Sequence, residues 1–284
     1  MIVSASFRTD IPALYADWFR ARRAAGFALV KNPYGGPAYR VSLRREDVAG
    51  YVFWTRNPGP LLDEMAAIAA EGTPVVVQMT VTGYPPALEA AVPPVERALD
   101  LAREVAGRLG PKALVWRYDP VLLTPLTPAT WHLEQAASLA RALAGASDEC
   151  ATSLATPYAK TQRNLRRAGI AAEDPPAPEK LALLAGLAAA VAPLRLTLCS
   201  QPDLLVPGVA PAACVDAGRL AAIAGRPLAA RRKGNRPGCD CFESRDIGAY
   251  DTCTHGCVYC YAVTTRSTAQ TKRRAHDPAA EALG

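Results

Sequence analysis

The 284 residues are half hydrophobic, with a formal net charge of +6 and a mean hydropathy near zero, enough apolar material for a sizeable core. No run reaches the roughly 18 apolar residues that a membrane span needs, and the opening stretch Met1–Asp10 lacks the basic-then-apolar order of a secretory signal. A cytoplasmic chain with reduced thiols is therefore expected, and its eight cysteines argue for metal binding over a disulfide framework.

Apolar runs that fit buried strands begin at Ile2–Phe7. A helix is predicted over Ile11–Ala25, with Pro12 in an allowed first-turn position and Gly26 as its stop. Phe27–Val30 reads as the next strand, Asn32-Pro-Tyr-Gly-Gly-Pro37 as a turn, and Tyr39–Leu43 as an extra returning strand. Further strands are expected at Tyr51–Thr55, Val75–Val81, Ala113–Tyr118, Ala151–Ala155 and Leu194–Cys199. Between them lie helical patterns over Pro93–Leu109, over Pro128–Ala144 with Thr127 as its cap, and around Leu181–Val191. Strands alternating with helices imply parallel βαβ units. The expectation is an α/β fold, a partial or open (βα) barrel over 1–225, with a doubly wound sheet as the alternative.

After Gly225 the character changes. Residues 226–265 form a basic, cysteine-rich segment expected to cap the barrel, and 266–284 a polar, frayed tail.

Strands of a parallel sheet should read as continuous hydrophobics, yet several carry polar residues two apart near their C-terminal ends. These are Ser4, Ser6 and Arg8; Thr55 and Asn57; Gln78, Thr80 and Thr82; and Arg117 and Asp119. Buried polar groups must meet each other, a ligand or water, and barrel active sites assemble at that rim. Arg8 and Arg117 are candidates for holding an anionic group, Asp119 for hydroxyls, and Asn57 and Thr80 for contacting a cofactor. The competing reading has Arg8, Asp10, Arg117 and Asp119 merely pairing to close the mouth.

Five of the eight cysteines crowd between positions 239 and 260. Cys253, Cys257 and Cys260 have the spacing Cys-x3-Cys-x2-Cys, with Tyr259 before the last. Three thiolates on one short loop can ligate three irons of a 4Fe–4S cube and leave the fourth open to a small chelating ligand. A structural zinc site is the alternative, with Cys239 or Cys241 completing four ligands. Cys199, Cys214, Cys239 and Cys241 are candidates for a second site, iron–sulfur or zinc, although Cys199 and Cys214 also suit small buried hydrophobes. Cys150 is assigned to the core. His255 reads as a loop residue and not a ligand.

This triad resembles the defining motif of the radical S-adenosylmethionine (SAM) superfamily. The resemblance implies that Cys253, Cys257 and Cys260 hold the cluster, that Tyr259 sits near the SAM adenine, and that the cluster cleaves SAM reductively to start radical chemistry. It also implies an electron donor such as flavodoxin or ferredoxin. More closely, the chain resembles an uncharacterised bacterial family of unknown function described as bearing radical-SAM-like cysteines at its C-terminus. The segments that carry this resemblance are Ser4-Ala-Ser-Phe-Arg-Thr-Asp-Ile-Pro12, Phe53-Trp-Thr-Arg-Asn-Pro58, Trp116-Arg-Tyr-Asp-Pro120 and Cys239-Asp-Cys-Phe-Glu-Ser-Arg-Asp-Ile-Gly-Ala-Tyr250. In ordinary radical SAM enzymes the cysteine loop follows the first barrel strand, whereas here it lies near the C-terminus.

The function expected is therefore a radical SAM enzyme acting on an unidentified substrate. The alternative is a non-catalytic iron–sulfur or zinc module, with Lys160–Arg167 and Arg231-Arg-Lys233 as nucleic-acid contacts.

Overall fold

The computed structural model describes residues 1–32, 35–156 and 158–284. It opens with β1 (Ile2–Ala5), α1 (Ile11–Leu14), α2 (Ala16–Ala25), β2 (Phe27–Val30), β3 (Tyr39–Ser42) and β4 (Gly50–Thr55). Then come α3 (Leu62–Ala70), β5 (Val75–Thr80), α4 (Val95–Leu109), β6 (Leu114–Val121), α5 (Ala129–Ala142) and β7 (Glu149–Leu154). The chain continues through α6 (Ala159–Arg167), α7 (Ala177–Ala190), β8 (Arg195–Leu198), β9 (Val209–Pro211), α8 (Ala217–Ala224), β10 (Ser244–Asp246) and α9 (Arg266–Ala275).

Eight strands form one sheet in the order β10-β1-β4-β5-β6-β7-β8-β9, and every neighbouring pair is parallel. From β1 to β9 the order follows the chain, without the reversal that a doubly wound sheet requires. Both faces of the sheet are covered, which is why Val75-Val-Val77 can be apolar throughout. One face packs under α1–α5 and α7, with Phe53, Val77 and Trp116 against Trp18, Phe19, Met65 and Leu184. The opposite face carries Ile2, Val52, Val76 and Val115 against Leu220 of α8. Each fully buried aliphatic side chain of this kind contributes about 1.5–3 kcal/mol.

Several expectations need correction. The helix predicted over Ile11–Ala25 breaks at Tyr15 (φ −134°, ψ 32°), whose hydroxyl donates to Thr252 O at 2.8 Å. Phe27–Val30 does not join the large sheet but pairs antiparallel with Tyr39–Ser42 in a separate ribbon; an apolar run alone cannot say which sheet it enters. The turn predicted over 32–37 includes Pro33 and Tyr34, which lie outside the described residues. Thr127 does not cap α5: Pro128 occupies that position, and Thr127 Oγ1 instead donates to Leu122 O at 2.7 Å. Strands β9 and β10, each three residues long, had no periodic signal to betray them.

The C-terminal segment is a packed strap and not a frayed tail. Thr265 caps α9 by accepting from Thr268 N, and the chain then crosses back over the N-terminal helices. Trp18 Nε1 donates to Ala280 O at 2.9 Å, Leu29 N to Glu281 O at 2.9 Å, and Leu283 is buried. No described helix is long and apolar enough to cross a membrane.

His132 of α5 is fully enclosed between the Tyr118 hydroxyl, 2.9 Å from Nδ1, and Leu122 O, 3.1 Å from Nε2. Burial pushes this imidazole from 6.5 down to about 4, outweighing the hydrogen bond to Leu122. The unfolded ring therefore takes up its proton first as pH falls. Its contribution is complete above pH 6.5 and is lost as pH drops towards 4. Replacing His132 by Gln should flatten the decline in stability between about pH 7 and pH 5 by about 2 kcal/mol, measured by urea unfolding at each pH.

Candidate functional site

Two buried carboxylates organise the C-terminal ends of the strands. Asp246 of β10 accepts from Ser4 Oγ (2.9 Å), Ser6 Oγ (2.8 Å), Phe7 N (3.1 Å) and Arg8 Nε (2.9 Å), all from β1 or just beyond it. Gly248 lies so close that a Cβ there would fall 2.0 Å from Ser6 Oγ. Asp10 caps α1 through Ala13 N and also accepts from Thr55 Oγ1 (2.7 Å) and Arg56 N (2.8 Å). Its Oδ2 lies 2.7 Å from His255 Nε2, and the other imidazole nitrogen is 3.0 Å from Ala91 O. Burial works against a charged His255, but the hydrogen bond and charge of Asp10 prevail and raise its pKa.

His255 belongs to the loop that carries Cys253, Cys257 and Cys260. Gly256 turns this loop with φ +75°, and a Cβ there would lie 2.8 Å from Arg266 Cδ. Val258 N donates to Leu88 O at 3.0 Å, and Thr161 Oγ1 donates to Tyr259 O at 3.1 Å. Tyr259 extends inwards, where its hydroxyl contacts Glu89 and accepts from Arg56 Nη2 at 2.6 Å. Arg56 and Glu89 form an ion pair at 2.7 Å with both side chains largely buried. They open onto a pocket of about 280 Å³ lined also by Thr80, Thr82 and Tyr84.

The three thiols are half-buried, and burial is the main cause that raises each, Cys257 to about 12. Their mutual charge adds to this at Cys253 and Cys257. Arg56 pulls Cys257 and Cys260 the other way, and Lys160 pulls Cys260. Nearby backbone N–H groups also favour the thiolate, that of His255 at Cys253 and those of Ala262 and Val263 at Cys260. Such donors favour a thiolate or a metal-bound sulfur over a neutral thiol.

The other predicted cysteines gather at the ends of β8 and β9, except Cys150, which is buried in the main core. Cys199 and Cys214 lie with sulfurs 3.6 Å apart, and Cys241 and Cys239 belong to the same packed cluster. Hydrogen bonding from Cys241 lowers the Cys239 thiol to about 6 despite its partial burial. Arg117 Nη1 reaches Cys214 Sγ at 3.0 Å. Among the described residues, no three His, Cys, Asp or Glu side chains surround one point closely enough to hold a single ion as they stand.

The remaining predicted residues divide. Arg117 pairs with Asp119 at 2.6 Å, and Asp119 Oδ1 accepts from Ser153 Oγ at 2.5 Å. Arg8 pairs with Asp246, not Asp10. Thr80 lines the pocket, but Asn57 is turned away, its Oδ1 accepting from Gly59 N at 3.2 Å in a local turn. Arg56 is the residue that the sequence reading missed, on the opposite parity to Thr55 and Asn57. The register Trp54↔Gln78 puts Trp54 level with Gln78, and continuing that alternation leads to Arg56. Of the basic stretches, Arg231 and Lys233 pair with Glu243, and Arg232 pairs with Asp240. All three of these basic residues stay exposed, as do Arg163, Arg166 and Arg167 of α6.

A family profile described as Domain of unknown function (DUF1848) matches residues 2–262. No curated protein and no solved structure matches the chain.

Glu89→Gln should strip Arg56 of its buried counter-charge and lower stability by about 3–5 kcal/mol in urea unfolding. Pairing it with Arg56→Met should recover part of that loss, because the guanidinium left unpaired is then gone.

Proposed function

The chain belongs to the DUF1848 family of domains of unknown function, and from the chemistry of its site we propose an iron–sulfur enzyme of radical SAM type. In this reading Cys253, Cys257 and Cys260 hold a 4Fe–4S cluster, and the parallel sheet acts as an open (βα) barrel with its C-terminal strand ends as the mouth. When bound, the cluster supplies the electron that cleaves SAM and starts radical chemistry on a substrate.

The observation that carries the proposal is how the cysteine loop is held. Its three sulfurs repel one another as thiolates, backbone N–H groups lie beside Cys253 and Cys260, and among the described residues no hydrogen bond joins the three to each other. A cationic iron core relieves that repulsion and uses those donors. The loop is fastened across the strand ends by His255 to Asp10 and by Tyr259 to Arg56 and Glu89.

Arg56 and Lys160 supply positive charge beside the sulfurs, which suits an anionic cluster and the carboxylate of SAM. Thr80, Thr82 and Tyr84 border the pocket beside Tyr259 and give the adenosyl part apolar and hydroxyl contacts. Arg8 and Arg117 already hold carboxylates, so their part is to shape the mouth and orient Asp246 and Asp119. Asp119 and Ser153 are then the candidates for touching a hydroxylated substrate. A flavodoxin or ferredoxin would deliver the electron.

The chain purified without oxygen and reconstituted with iron and sulfide should bind about four irons at the triad. With SAM and dithionite it should release 5′-deoxyadenosine, and Cys253→Ala, Cys257→Ala or Cys260→Ala should each abolish that product. A fully loaded chain that releases none overturns the reading.

A further inference from the structure

Four cysteines lie apart from the triad, on three separate segments. Cys199 follows β8, Cys214 follows β9, and Cys239 and Cys241 precede β10. We infer that Cys199, Cys214, Cys239 and Cys241 form a tetrathiolate site for a single divalent ion of the zinc type, which fastens the segment before β10 to the end of β9.

Convergence is the first ground. Cys199 and Cys214 meet sulfur to sulfur at 3.6 Å, and Cys241 and Cys239 pack into the same cluster. Cysteines used only as small hydrophobes have no reason to seek each other from three segments. Cys199, Cys214 and Cys241 are buried, while Cys239 is partly open and gives an ion its way in.

Spacing decides the kind of site. Sulfurs about 2.3 Å from a tetrahedral zinc lie about 3.8 Å from one another. The Cys199 and Cys214 sulfurs are 3.6 Å apart. An iron–sulfur cube sets each thiolate on its own corner beyond an iron, which spreads them far wider. That contact is too close for two corners of one cube and matches two ligands of one ion.

Charge agrees. Four thiolates around a divalent ion carry a net charge of −2, and two guanidiniums sit against these sulfurs. Arg117 Nη1 is 3.0 Å from Cys214 Sγ, and Arg236 Nη2 is 3.6 Å from Cys199 Sγ. Val215 N adds a backbone donor 3.4 Å from Cys241 Sγ. Donors of this kind are what orient and neutralise metal-bound thiolates.

In the metal-free arrangement no three of the four enclose one point, so the cysteines draw together around the ion as it binds. Loading the site releases the thiol protons and replaces the Cys214–Cys199 bond with bonds to the ion. Between α8 and β10 the chain folds on itself through bonds such as Lys233 N to Cys241 O at 2.9 Å, and it is joined to the end of β9 by Phe242 N to Val215 O at 2.9 Å, the junction that the ion would reinforce.

The test uses the full chain carrying Cys253→Ser, Cys257→Ser and Cys260→Ser, stripped of metal and titrated with cobalt(II) and then zinc(II). One cobalt per chain with the intense visible absorption of tetrahedral thiolate ligation, displaced by zinc, is the expected result. Adding Cys241→Ser should weaken binding by more than about 100-fold. A measurement on the unaltered chain guards against misfolded variants: zinc should shield Cys199, Cys214, Cys239 and Cys241 from alkylation, and a chelator should expose them. Overturning results are no stoichiometric uptake, zinc that shields none of the four, or a triad-free chain that assembles iron with sulfide in this place.

Discussion

The Asp246 carboxylate is the contact on which the arrangement depends. It sits on the short strand β10 and is met by two hydroxyls, a guanidinium and a backbone amide from the β1 end. A buried charge so thoroughly satisfied fixes the register Ser4↔Asp246 that three residues of ladder would hold only loosely. Because β10 lies parallel beside β1, the chain leaves it at the same end of the sheet where the polar residues of the other strands gather. The cysteine loop is thus delivered over Asp10 and Arg56 by the direction of one strand. No long-range rearrangement of the sheet is needed to bring a C-terminal motif to an N-terminal strand.

Much of this was legible in the residues, for reasons that can be named. Ile2, Val52, Val76 and Val115 lie in runs apolar on both faces, so their strands and the parallel sheet could be read directly. The polar alternation of Gln78 and Thr80, and of Arg117 and Asp119, did mark one face at the strand ends. At β4 the alternation was followed from Thr55 and so landed on Asn57, in a turn, where following it from Trp54 leads to Arg56. The competing reading grouped Asp10 with Arg8, Arg117 and Asp119 as pairs closing the mouth, yet the Asp10 carboxylate turns to His255, 245 residues away. Single contacts at that separation leave no periodic trace. The packed C-terminal strap escaped for a related reason: it docks through backbone carbonyls, which every sequence possesses.

The two cysteine groups stand in different surroundings. Cys253, Cys257 and Cys260 share one loop, and among the described residues no hydrogen bond joins their sulfurs. Cys199, Cys214, Cys239 and Cys241 come from three segments and pack into one cluster, where Cys199 and Cys214 touch. Arginine accompanies both groups, Arg56 at the first and Arg117 with Arg236 at the second. Its fixed fork of donors can serve a carboxylate and a sulfur at once, as Arg117 does with Asp119 and Cys214. Part of the chain's positive balance is in this way spent inside the molecule, and part on the exposed face of α6.

The pairing of β1 with β10 has a consequence for biosynthesis. Ser4 leaves the ribosome 242 residues before Asp246, which at common translation rates is roughly 12–50 s. During that interval the β1 edge that β10 will cover is open, a template for the wrong neighbour, and Arg8 has no carboxylate to meet. All three thiols of the Cys253–Cys260 loop emerge later still, when the rest of the sheet is already outside. Any machinery that loads this loop therefore meets a nearly finished scaffold and not a nascent one.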